Sequence, residues 1–157
     1  MTLTLHVLGE PIAKQGWKSR VAGARGKQFV QTYRSAQTKS AHNNLRAQLI
    51  AQLPDGFTPL AGPLVVHELV FAFAPLKSMP KGKQRELAAG AEFPKATKPD
   101  LDNLEKLLWD AAEGVLYLND SQICEKRHVR KVYGLRPGIR LVVGEAVDEE
   151  KINNSSL

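Results

Sequence analysis

A mixed β-sheet with two main helices packed on it, a two-layer α+β domain, is the fold class this 157-residue sequence predicts. Residues 2 to 8 alternate apolar and polar at the period of a half-buried strand. Two later segments repeat apolar residues at helical spacing. Between and around them, turn residues cut the chain into the order strand, strand, helix, strand, helix, strand, strand.

Leu3, Leu5 and Val7 share one face of the first strand, with Thr2, Thr4 and His6 on the other, and Gly9 to Pro11 ends it. From Ile12 to Gly26 the chain is basic and aperiodic and reads as an exposed loop, before a short strand near Gln28 to Thr32. Ser35 is placed to cap a helix running to about Leu53. Its Ala41, Leu45, Leu49 and Leu53 form a stripe, and Pro54-Asp55-Gly56 stops it. Leu64 to Phe73 is apolar on both alternating sets except at His67 and Glu68, as an interior strand is. Pro75 to Pro99 is a long proline-rich connection, briefly helical around Lys83 to Ala89. Leu101, Leu104, Leu107, Leu108, Ala111 and Ala112 predict a second strong helix that Gly114 terminates. A turn at Asn119-Asp120 leads to a strand from about Gln122 to Tyr133, and Arg136-Pro137-Gly138 turns the chain into a last strand, Ile139 to Val143. Residues 1 to 145 form the expected domain, and 146 to 157 read as an acidic, frayed tail.

One core is what this length supports, and no apolar run approaches the roughly 20 residues of a membrane-spanning helix. The first residues lack the layout of a secretion signal, so the cytoplasm is the expected location. Cys124, the single cysteine, excludes an internal disulfide and any zinc site on paired cysteines, and reads as an inert, partly buried thiol. The four histidines have no metal-pair spacing, which leaves carboxylates as ligands and magnesium, manganese or calcium as ions.

The formal charge of +6 is unevenly spread. Between Pro11 and Pro54 eight cations stand with no acid, and six more follow Glu125 within fifteen residues. Without the last thirteen residues 21 cations face 12 acids, a body near +9 that suits a nucleic acid. The candidate phosphate contacts are Lys14, Lys18, Arg20, Arg25, Lys27, Lys98, Arg127 and Arg130. Lysines and arginines kept for solubility are the alternative.

Potentially chemical residues are densest in Lys98-Pro-Asp-Leu-Asp-Asn-Leu-Glu-Lys106, followed one helix later by Asn119-Asp120-Ser121-Gln122. Proline keeps Lys98 extended and puts Asp100 at the helix start. Asp100 and Asp102 share a side only if the helix begins between Pro99 and Asp102, because on a regular helix they diverge by roughly 200°. Lys106 lies one turn beyond Asp102 on its face. Sequence spacing does not return Asp120 to this end of the helix; only the fold or a partner subunit does. Three carboxylates that meet require a divalent cation or a shared proton, and a metal so held activates water for attack on phosphorus. Lys106 would then add positive charge at the phosphate. The same residues also fit a plainer reading: Asp100 as an N-cap, Asp102 and Lys106 as an ordinary i,i+4 pair, Asp120 as a turn residue.

Taken together, Lys98 to Lys106, Trp109 to Leu116 and Asn119-Asp120-Ser121-Gln122-Ile123 resemble the signature of the RusA-type Holliday junction resolvases, and Gly9 to Lys14 resembles that family's strand-to-basic-loop opening. The resemblance implies a RusA-like fold and a homodimeric, magnesium-dependent endonuclease, with manganese as a possible substitute, that resolves four-way DNA junctions by paired incisions. It implies Asp100, Asp102 and Asp120 as metal-binding catalytic acids and Lys106 as the catalytic lysine. Asn119 departs from the family, which commonly has a second aspartate there. The alternatives are a nuclease acting on flaps or forks and a nucleic-acid-binding protein without catalysis.

Overall fold

The computed structural model describes residues 1–147; most of the predicted acidic tail lies outside them. Eight strands and three helices follow in the order β1 (Thr2–Leu8), β2 (Lys18–Ala22), β3 (Phe29–Tyr33), α1 (Ala36–Ala51), β4 (Leu64–Phe73), α2 (Lys81–Ala88), β5 (Phe93–Pro94), α3 (Leu101–Ala112), β6 (Ile123–Lys126), β7 (Val129–Tyr133) and β8 (Gly138–Glu145). The main sheet runs β1-β8-β4-β7-β5, with β6 beside the start of β4. β4 is central: antiparallel to β8 on one side, parallel to β6 and β7 on the other. The sheet is therefore mixed, and helices pack on it, so the architecture is α+β as the sequence predicts.

One apolar core joins the layers. Leu3, Leu5 and Val7 of β1, Ile139, Leu141 and Val143 of β8 and alternate residues of β4 meet Leu45 and Leu49 of α1 and Leu104, Leu107 and Leu108 of α3. Ser35 caps α1, accepting from the Thr38 amide at 3.1 Å. Gln48 of α1 and Gln52 just past its end reach the free edge of β1 and bond both backbone groups of Leu8 and His6, which blocks further pairing there. α3 stops at Glu113 with Gly114 in the left-handed region at φ 73°, where glycine carries no Cβ penalty.

Three expectations need correction. The stretch expected to be a loop contains β2, which pairs with β3 as a separate two-stranded hairpin. All of its residues except Ala22 are exposed, so no buried period marks it in the sequence. The strand expected over Gln122 to Tyr133 is broken: Asp120–Gln122 form a 3-10 turn, and His128 at φ 47° separates β6 from β7. The short helix expected around Lys83 to Ala89 is present as α2, which buries Leu87 in the core. Cys124 is exposed rather than partly buried, because its short strand passes beside β4 with only Ile123 turned inward.

Candidate active site

α3 begins at Leu101, with Asp100 still extended at φ −71° and ψ 141°. This is the condition under which Asp100 and Asp102 share a side, since a helix one turn earlier would separate them. Asp100 occupies the N-cap position, yet its carboxylate makes no capping hydrogen bond. The expectation that it satisfies the helix amides is thus not met, and the carboxylate stays exposed. Asp102 and Lys106 are neighbours on one face, Nζ to Oδ2 3.3 Å, both well exposed.

The remaining acids of α3 are already occupied. Glu105 accepts from Lys126 Nζ at 2.6 Å and from the Trp109 indole at 3.4 Å. Asp110 accepts from Lys14 Nζ at 2.6 Å, and the Lys14 amide bonds the Asn103 carbonyl. Lys14 therefore staples the opening basic segment to α3.

Asp120 stands toward the other end of this helix. Tyr117 Oη donates to the Trp109 carbonyl at 2.8 Å, and the Gly114 amide donates to the Tyr117 carbonyl, so the chain folds back on the last turn of α3 before reaching Asp120. Burial first, then the charges of Asp120, Glu113 and Asp110, push the Tyr117 phenol far above its ordinary pKa and keep it a neutral donor. The turn is closed by its neighbours. Asn119 Oδ1 accepts from the Ser121 amide, Gln122 Oε1 accepts from the Leu118 and Asn119 amides, and Gln122 Nε2 donates to the Leu60 and Gly62 carbonyls. Asn119 is thus a capping residue, and these side-chain bonds do not use the exposed Asp120 carboxylate.

Twelve helical residues span about 18 Å. Among the described residues no group of three or more histidine, cysteine, aspartate or glutamate side chains is gathered to hold a metal ion. The chain thus offers two exposed carboxylates at the start of α3, oxygen donors suited to a hard divalent cation, without the third.

Of the proposed phosphate contacts, Lys18, Arg20, Arg25 and Lys27 belong to the exposed β2–β3 hairpin, where Arg20 bonds Gln31 and lies 5.4 Å from the Tyr33 ring. Lys98 is exposed beside Asp100. Arg127 pairs with Glu125, and Arg130 with Glu68 and Glu92. The sequence reading missed Lys95 and Lys131. Lys131 Nζ donates to the Thr97 and Pro99 carbonyls at 2.7 and 2.8 Å, fixing the backbone just before Asp100. Its membership of the cationic run after Glu125 was the available signal.

Residues 9–144 match the family described as Endodeoxyribonuclease RusA, a span that includes every residue of this site. The chain belongs to the RusA endodeoxyribonuclease family. It is also similar to the uncharacterized protein YqaN of Bacillus subtilis (strain 168), at 29% identity over 139 residues, covering 88% of this chain and 93% of that protein. The activity of a RusA-family protein is endonucleolytic, on DNA. No helix among the described residues is long and apolar enough to cross a membrane.

Proposed function

We propose that this RusA-family chain is a magnesium-dependent nuclease that resolves four-way DNA junctions as a homodimer, each site combining Asp100, Asp102 and Lys106 of one protomer with Asp120 of the partner subunit. The observation that supports this reading is the pair Asp100 and Asp102: two exposed carboxylates at the start of α3, with Asp100 still extended and making no capping bond. An N-cap aspartate whose carboxylate caps nothing is available for another ligand. The opposed placement of Asp120 favours a shared site, because a two-fold axis can set the far end of one α3 beside the near end of another.

A divalent ion bound by these acids would polarise the phosphoryl group and activate water. This chain's own residues do the rest. Lys106, now on Asp102, supplies a positive charge for the phosphate oxygens. Lys98 and the hairpin cations Lys18, Arg20, Arg25 and Lys27 hold the arms by their phosphates.

Cleavage of a synthetic four-way junction by the purified protein in magnesium, with flap and fork substrates in competition, tests the reading. Asp102→Asn is expected to abolish cleavage while junction binding is kept or strengthened, since a charge that repels phosphate is removed. Wild-type cleavage by that variant sinks the assignment.

A further inference from the structure

The start of α3 is faced by a second set of side chains, outside the acidic motif. Lys95 follows β5, its amide bonded to the Lys131 carbonyl of β7. Its ammonium donates to Thr97 Oγ1 at 2.7 Å, lies 3.4 Å from Tyr133 Oη, and sits 5.2 and 4.9 Å from the Phe73 and Tyr133 ring centres. Thr97 Oγ1 is 3.4 Å from the same phenol oxygen. Lys131 lies behind, on the carbonyls of Thr97 and Pro99.

This group carries charge without a carboxylate partner. Lys14, Lys106, Lys126, Arg130 and Arg140 all have a carboxylate within salt-bridge distance. Among the described residues Lys95 and Lys131, each half-buried, have carbonyls, hydroxyls and aromatic rings instead, and no ion pair. Half-buried ammonium groups without counter-charge raise the local potential, and an arriving anion lowers it. The Tyr133 phenol already reflects that field. The Thr97 hydrogen bond first, then Lys95 and Lys131, hold its pKa below the ordinary value.

We propose that Lys95, Thr97 and Tyr133, backed by Lys131, form a phosphate-binding subsite for the cut strand, taking a phosphate next to the one addressed by Asp100 and Asp102. Every polar side-chain group in it can donate a hydrogen bond, and a phosphodiester oxygen only accepts. The subsite adjoins Asp100 through three residues of backbone, Thr97 to Pro99, so a strand seated on it runs directly past the acids. This inference rests on the nuclease reading for its ligand.

The test is junction binding by the full chain in EDTA, where hydrolysis plays no part, with single methylphosphonates placed in turn along the strand near the cut. Lys95→Met is expected to weaken binding about tenfold and lower the log–log salt slope by about 0.9, the value of one phosphate contact. At one position the methylphosphonate should weaken the wild type about tenfold and Lys95→Met no further, the coupling expected when both changes remove one contact. Thr97→Val, at an exposed position, guards against misfolding and should give the same coupling. Tyrosinate absorbance, referenced to Tyr133→Phe, should show the Tyr133 pKa rising when DNA binds. A wild-type salt slope in Lys95→Met, or additive losses at every position, would overturn the subsite. Junction cleavage alongside Lys95-independent binding sinks the subsite alone, whereas a Lys95-dependent contact without cleavage sinks the nuclease reading alone.

Discussion

The N-terminal end of α3 and the turn beyond its C-terminal end both expose aspartates, but the surrounding backbone is held in different ways. Before Asp100 a lysine does the holding: Lys131 bridges two carbonyls, and the Asp100 carboxylate makes no capping bond. Around Asp120 neutral amides do it: Asn119 and Gln122 between them bond three amides and two carbonyls. Neither end uses its aspartates as structural acceptors, though acids at such positions commonly serve as caps. Carboxylates that the fold does not consume at both ends of one helix are what a site assembled from two subunits requires.

Complementation is the strongest way to break that comparison. Asp102→Asn and Asp120→Asn are each expected to lower junction cleavage on the order of a hundredfold or more, since each removes a proposed metal ligand. Co-expressed with different tags, they should form mixed dimers in which one site carries both defects and the other neither. Purified mixed dimers should therefore recover cleavage at about half the wild-type sites, by the isologous symmetry of a two-fold interface. Mixed dimers as inactive as their parents would confine each site to one protomer. The measurement is nicking of a labelled junction.

Stability separates the two ends next. Gln122→Ala removes four hydrogen bonds that join the Asp120 turn to the Leu60–Gly62 segment, and is expected to cost ~2 kcal/mol in urea unfolding. Asp120→Asn, which removes none of them, should stay within ~0.5 kcal/mol. Equal losses would mean that Asp120 helps to hold the turn.

Much of this arrangement is legible in the sequence, for identifiable reasons. The start of α3 is, because proline restricts the residue before it and the apolar stripe from Leu101 fixes the register of everything after. That start meets the condition for a shared side of Asp100 and Asp102. The position of Asp120 does not follow, because it depends on Tyr117 folding back onto Trp109, a contact with no periodic signature. The hairpin strand β2 escapes for another reason: a two-stranded arm with almost no buried residues lacks the alternation that betrays a strand. Lys95 and Lys131 were lost among many lysines, since only β5 pairing with β7 distinguishes them.

Acid unfolding probes a region outside both ends, and so measures how far they are independent of the sheet. Glu68 in β4 is held below its ordinary pKa of 4.5, first by the Arg140 hydrogen bond and then by the charges of Arg140 and Arg130. A carboxylate with a depressed folded pKa contributes stability that is present above its unfolded value and lost as pH falls through the folded one. The stability gap between wild type and Glu68→Gln should therefore be full above about pH 5 and close as pH drops below 4.5. A gap that persists unchanged to about pH 3 would show that packing, not the ion pairs, accounts for it. Metal-free junction binding at pH 7 should be the same in both proteins.

The smallest expected effect lies at Asn119. Its Oδ1 accepts from the Ser121 amide at 2.9 Å, a role an aspartate oxygen fills equally well, so Asn119→Asp keeps the cap. The cost is a second negative charge beside Asp120, both exposed to water, where such repulsion amounts to about 1 kcal/mol or less and is screened by salt. A slightly lower Tm at low ionic strength, restored at about 0.5 M salt, is the expected result. A larger loss that salt does not reverse would mean that the Asn119 amide nitrogen, and not only its oxygen, holds the turn. In that case the locked end of α3 would depend on the amide itself, and an aspartate at this position would require a differently bonded turn.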